Sequence, residues 1–144
     1  MVAELAALTN DEDFLVSQRA LDLLEKIAHD HPDWIEPHKA VFIGRCAESD
    51  KWEIRLQIVR ALPLFDWTPE DLARVKTILR ENVRYPQTFV RAWALDSLSI
   101  FAMRDKRLMR EVRRHLAEFE RSDSKALQAR ARNIRQRLAS SVPD

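Results

Sequence analysis

The chain has 144 residues, 46% of them hydrophobic and 33% charged, enough for one domain with its own core and too apolar for a disordered chain. Its single glycine, Gly44, stands where a usual ~7% would give about ten, and tight hairpin turns need glycine, asparagine or aspartate at φ > 0, so β architectures are excluded. The net charge of +1 excludes a uniformly basic chain but hides a gradient: residues 1–53 carry 12 acidic and 5 basic side chains (−7), residues 54–103 are +2, and residues 104–144 carry 12 basic and 6 acidic (+6).

The predicted elements are all helices, about seven of them in a single domain. The first spans about 10–29, opened by the capping box Thr9-x-x-Glu12, and the second 35–48. The third covers 51–65, with Asp50-x-x-Glu53 at its start and Pro63 late in it, where the missing N–H bends or ends the helix. The fourth, 69–84, has the strongest start signal: Thr68-Pro69-Glu70-Asp71 supplies an N-cap, a first-turn proline and acids at the positive end of the dipole. The fifth spans 87–103 and the sixth 105–121, with Asp105 as its candidate cap. The last runs over 123–139 behind Ser122 or Ser124. Short connections imply antiparallel hairpins at 10–48, 51–84 and 87–121, followed by a terminal helix. No apolar run reaches membrane-spanning length, no signal peptide is legible, and Cys46 is alone and reads as a small core residue; a cytoplasmic location follows by default.

An internal repeat sharpens this pattern. Ile54-Arg55-x-x-Ile58-Val59-x-Ala61-Leu62-x-Leu64-Phe65 aligns without a gap, at an offset of 36, with Val90-Arg91-x-x-Ala94-Leu95-x-Ser97-Leu98-x-Ile100-Phe101. Arg19-Ala20 marks a fainter earlier copy and Arg130-Ala131 a terminal one. An acid, then Val/Ile-Arg-x-x-Ala, then Ala-Leu resembles the first helix of a HEAT repeat, most specifically over 50–103. The period of 36 is slightly shorter than the usual ~40, and no acid immediately precedes the copy at Val90. The resemblance implies a right-handed α-α superhelix of stacked hairpins whose second helices line a concave inner face, and a binding role. It also implies that Arg55 and Arg91 tie neighbouring repeats through carboxylates, with Asp50 and Asp96 available.

The second helices are rich in arginine. Arg74, Arg80 and Arg84 fall on one, and Arg107, Arg110, Arg113 and Arg114 on the next. A charge run on a helix is ordinarily a solvated face. Arginine in place of lysine, however, suits bidentate recognition of carboxylate or phosphate. The terminal helix adds Arg130, Arg132, Arg135 and Arg137 around a narrow apolar stripe. The leading expectation is therefore a non-enzymatic protein-interaction module or small adaptor that binds an acidic partner on a basic concave face. The alternative is nucleic-acid binding by the same arginines, and the charged ends also allow salt-sensitive self-association.

Two chemical readings carry less weight. HEAT-like DNA glycosylases set tryptophan and aspartate beside an alkylated base, and the pair Trp93 and Asp96 invites that comparison, but a lone aromatic–acid pair is a weak signal. His29, His31 and His38 gather within ten residues, yet they straddle a helix end and a proline turn, so no metal or other cofactor is expected.

Overall fold

The computed structural model describes residues 1–141, and among these every regular element is helical. Its first helix, α1 (Val2–Leu8), lies ahead of the first predicted one. Thr9 belongs to this helix: its hydroxyl donates to the Ala6 carbonyl at 2.6 Å, so the capping box with Glu12 does not form. Asp13 heads α2 (Phe14–Asp30) instead, accepting from the Leu15 N–H at 2.9 Å. It is fixed there by its own N–H, which donates to Asp11 Oδ1 at 2.8 Å.

Tertiary contacts divide the chain into two compact units, Met1–Ile78 and a second from Leu79 onward, the division falling inside α5. In the first unit the single helix predicted over 35–48 does not exist. In its place stand α3 (Pro32–Ile35) and two 3₁₀ segments, Glu36–Phe42 and Arg45–Glu48. Pro37 removes a backbone donor and crowds the preceding turn, and Gly44 sits at φ −89°, ψ −145°, outside the helical region. The first hairpin is thus one long helix followed by a chain of short turns. Those turns are nonetheless anchored: Ile35, Phe42, Cys46 and Ala47 are buried, and the Phe42 ring stacks on Phe65 with centroids 5.8 Å apart.

The next helix, α4 (Trp52–Ala61), packs against α2. Its N-cap position is Lys51, one residue after the expected Asp50, and the Lys51 side chain makes no capping bond; the Lys51 N–H donates to Ser49 Oγ at 3.1 Å. It stops two residues before Pro63, which lies in the 3₁₀ turn Leu62–Leu64, as the missing N–H requires. Thr68 accepts from the Asp71 N–H at 3.2 Å and starts α5 (Pro69–Val83), matching the sequence signal.

In the second unit, α6 (Thr88–Arg104) is buried on nearly every side, including Val90, Ala94, Leu95, Leu98 and Phe101. Such a helix is a core element rather than an amphipathic cover. Asp105 accepts from the Arg107 N–H at 3.1 Å and starts the turn into α7 (Met109–Arg121). Ser124 accepts from the Leu127 N–H at 3.2 Å at the start of α8 (Lys125–Ser141). Both α7 and α8 pack on α6 and on each other. The aligned residues of the repeat occupy equivalent environments: Ile54, Ile58, Val59, Leu62 and Phe65 are buried in α4 and the turn after it, and Val90, Ala94, Leu95, Leu98 and Phe101 in α6. No helix among the described residues is long and apolar enough to cross a membrane.

Because the 3₁₀ stretch is held by side-chain burial, Phe42→Ala should lower unfolding free energy by about 3–5 kcal/mol, as for other fully buried aromatics. Urea denaturation followed by circular dichroism measures this. A loss below about 1 kcal/mol would mean the segment contributes little to the first unit.

Candidate interaction surface

Asp96, on α6, is a buried carboxylate, only 3% exposed. Its carboxylate accepts from Arg137 Nη2 at 2.8 Å and, at a longer 3.4 Å, from Arg130 Nη1. Both arginines come from α8. Arg137 also donates to the Ser99 hydroxyl at 3.0 Å, and that hydroxyl donates to the Asp96 carbonyl at 2.6 Å. The Arg130 guanidinium lies 4.2 Å from the centre of the Trp93 ring, a cation–π contact. Trp93 and Asp96 are thus brought together, with arginine between them, inside the packing of α6 on α8.

Asp96 does not tie Arg91. Arg91 donates its Nε to the Val83 carbonyl at 3.1 Å and lays its guanidinium 5.4 Å from the Phe119 ring centre. Arg55 likewise donates its Nε to a carbonyl of the preceding turn, that of Ser49, at 2.7 Å. The two repeat arginines are equivalent in this bond, each clamping the end of the preceding segment to its own helix. An arginine fork satisfies an orphan backbone acceptor as readily as a carboxylate.

The seven arginines singled out as partner-binding divide by structure. Arg74 is in the first unit, where it donates to Glu48 at 3.3 Å and reaches the Ile43 carbonyl at 3.5 Å, bracing the 3₁₀ stretch. Arg80 forms a forked pair with Glu111, with contacts of 2.9 and 3.0 Å, joining α5 to α7. Arg107 is folded back onto Asp105 at 3.0 Å. Arg84, Arg110, Arg113 and Arg114 are exposed and have no ion pair among the described residues.

Helical geometry explains why the arginines of α7 stay free. At 100° per residue, Arg110, Arg113, Arg114 and Arg121 fall within one arc of about 100°. The opposite face buries Val112, His115, Leu116 and Phe119. Arg121, exposed and also without an ion pair among the described residues, completes this face. It was legible in the spacing but sits beyond the densest cluster. The terminal helix is the converse case: Arg130 and Arg137 turn inward to Asp96, Arg135 pairs with Glu120, and Arg132 is exposed.

The division sharpens the charge gradient. From Leu79 onward there are 15 basic and 8 acidic side chains, net +7, against 9 and 15, net −6, in Met1–Ile78. The histidines do not converge: His29 contacts the buried Glu25 at 2.9 Å, while His31 stacks on Trp34. Among the described residues no group of three or more His, Cys, Asp or Glu side chains is arranged to hold a metal. No protein-family model matches this sequence, and no curated protein matches it.

The hydrogen bonds from Arg80 hold the Glu111 carboxyl below the usual carboxylate range, against a smaller opposing effect of burial. The depressed native value means the pair contributes stability above the ordinary carboxylate range and loses it as pH falls through the native value. Arg80 is nearly half exposed, so the contribution is at most about 1 kcal/mol. Glu111→Gln should therefore destabilise at neutral pH, and its gap from wild type should narrow as pH falls below the ordinary carboxylate range in urea titrations. A gap that stays constant with pH would contradict the pairing. Asp96→Ala should cost more, about 2–3 kcal/mol, because it leaves the partly exposed Arg130 and Arg137 without their carboxylate against the packed face of α6. Loss below about 1 kcal/mol in the same assay would show that Arg130 and Arg137 reach water instead.

Proposed function

We propose that this chain is a small HEAT-like helical-repeat module, wound as a right-handed superhelix, that binds an acidic protein partner without catalysing a reaction. The observation that carries the reading is the exposed arc of Arg110, Arg113, Arg114 and Arg121 on α7, free of internal ion pairs among the described residues while neighbouring arginines are engaged. A fixed helix presenting forked donors at i, i+3, i+4 and i+11 favours an extended anionic surface, and arginine favours carboxylates or phosphates in bidentate geometry. The superhelical reading draws support from the equivalent burial of the two repeat copies and from the packing of α2 on α4 and of α6 on α8, alternate helices meeting as in stacked hairpins. The non-catalytic reading draws support from Asp96, whose buried carboxylate is committed to the partly exposed Arg137 and Arg130.

Nucleic acid is the second reading, favoured by the net +7 of the second unit. Affinity capture from native lysate, with and without nuclease, separates the two. The protein reading expects a partner that survives nuclease and is lost when Arg110, Arg113 and Arg114 are all changed to Glu, with helical circular dichroism retained. Full capture by the triple variant overturns the arginine face. Recovery that vanishes with nuclease, together with a gel shift that weakens steeply with added salt, replaces the protein reading with the nucleic-acid one.

A further inference from the structure

An open groove of about 890 Å³ lies within the second unit, between the end of α6, the turn that follows it, α7 and α8. Met103, Met109 and Leu138 supply its apolar surface, and Lys106, Arg113 and Arg135 its charged rim. No carboxylate lines it among the described residues. Arg135 is already paired with Glu120, whereas Lys106 and Arg113 are exposed and without an ion pair among the described residues. Met103 is 40% exposed, a large apolar side chain left uncovered at the groove wall. Arg113 belongs at once to this rim and to the free arginine arc of α7, so the groove opens directly beside the basic face.

The geometry points to a docking groove for one large apolar side chain carried by an acidic peptide segment. This rests on the acidic-partner reading and specifies it further. An acidic segment lying along the α7 arginines has its next residues at Arg113, where the charge ends and the apolar surface begins. The rim selects the occupant by charge, because an apolar anchor flanked by basic residues would meet Lys106 and Arg113, whereas one flanked by aspartate or glutamate is matched by them. The methionine walls fit an anchor of variable shape, since the unbranched thioether repacks easily. An apolar anchor beside a charged strip also divides the work: the strip steers approach and the anchor slows dissociation.

The test uses two fluorescein-labelled twelve-residue peptides of alternating aspartate and glutamate. One has a single phenylalanine at its centre and the other a serine there. Anisotropy titrations at low salt are expected to show the apolar peptide binding about tenfold more tightly to the wild-type chain. Met103→Ser changes an exposed side chain and should leave the fold intact by circular dichroism. It should bring the two peptides to within about twofold of each other without altering the serine peptide's affinity. Equal affinities on the wild type, or a preference undiminished in Met103→Ser, overturn the groove. The basic face is judged separately by the serine peptide, whose binding should fall when Arg110 and Arg114 are changed to Glu. Failure of both peptides to bind overturns the groove and the acidic-partner reading together.

Discussion

A carboxylate enclosed in the packing of α6 against α8 sets how these two helices of the second unit meet. Asp96 is taken out of water on a helix that is buried nearly all round, so it must be neutralised and hydrogen-bonded from within. Among the described residues arginines reaching across from α8 do this, and two of them arrive, at 2.8 and 3.4 Å. Register between the helices follows, because Arg137 must also meet the Ser99 hydroxyl while Arg130 covers the Trp93 ring. A one-turn slip of about 5.4 Å would lose all of these contacts together.

The first unit has a related arrangement with weaker partners. On α2, Asp22 accepts from Gln57 at 3.3 Å, and the buried Glu25 lies 3.9 Å from Arg60, both partners being on α4. Each acid meets its partner about one repeat later in the chain, at a separation of 35 residues for Asp22 with Gln57 and 34 for Asp96 with Arg130. Polar ties at that interval link alternate helices, while Arg55 and Arg91 act locally on the turns before their own helices. The repeat thus has two kinds of arginine, one holding a helix to its preceding turn and one holding it to the helix after next.

These internal demands decide which cations are left facing solvent. Once Arg80 is committed to Glu111, Arg107 to Asp105, Arg135 to Glu120, and Arg130 and Arg137 to Asp96, the free positive surface of the second unit concentrates on α7. α7 keeps its arginines because its buried face is complete without them: Val112, Leu116 and Phe119 fill it with apolar surface, and His115 adds a fourth buried side chain. The adjoining groove is walled by Met103, Met109 and Leu138, with Met103 left 40% exposed.

By itself the sequence determined the helical class, through glycine scarcity and the 3.6-residue period, and it marked the starts that rest on local chemistry: Thr68 with Pro69, Asp105, and Ser124. It also determined the repeat, since the aligned positions in α4 and α6 are buried alike. Three matters were decided only in tertiary structure. Residues 35–48 carry apolar residues at helical spacing, yet Pro37 and the non-helical Gly44 divide them into 3₁₀ segments, and burial of Phe42 beside short i→i+3 backbone bonds holds them in place. Thr9 could cap in either direction, and the helix before it claimed it. The fate of each arginine depended on whether a carboxylate 2 or 41 residues away was brought within reach, as Asp105 is for Arg107 and Asp96 for Arg137. Charge type and helical position are local properties, but pairing is a property of which helices meet, and that is what separated the structural arginines from those left facing solvent.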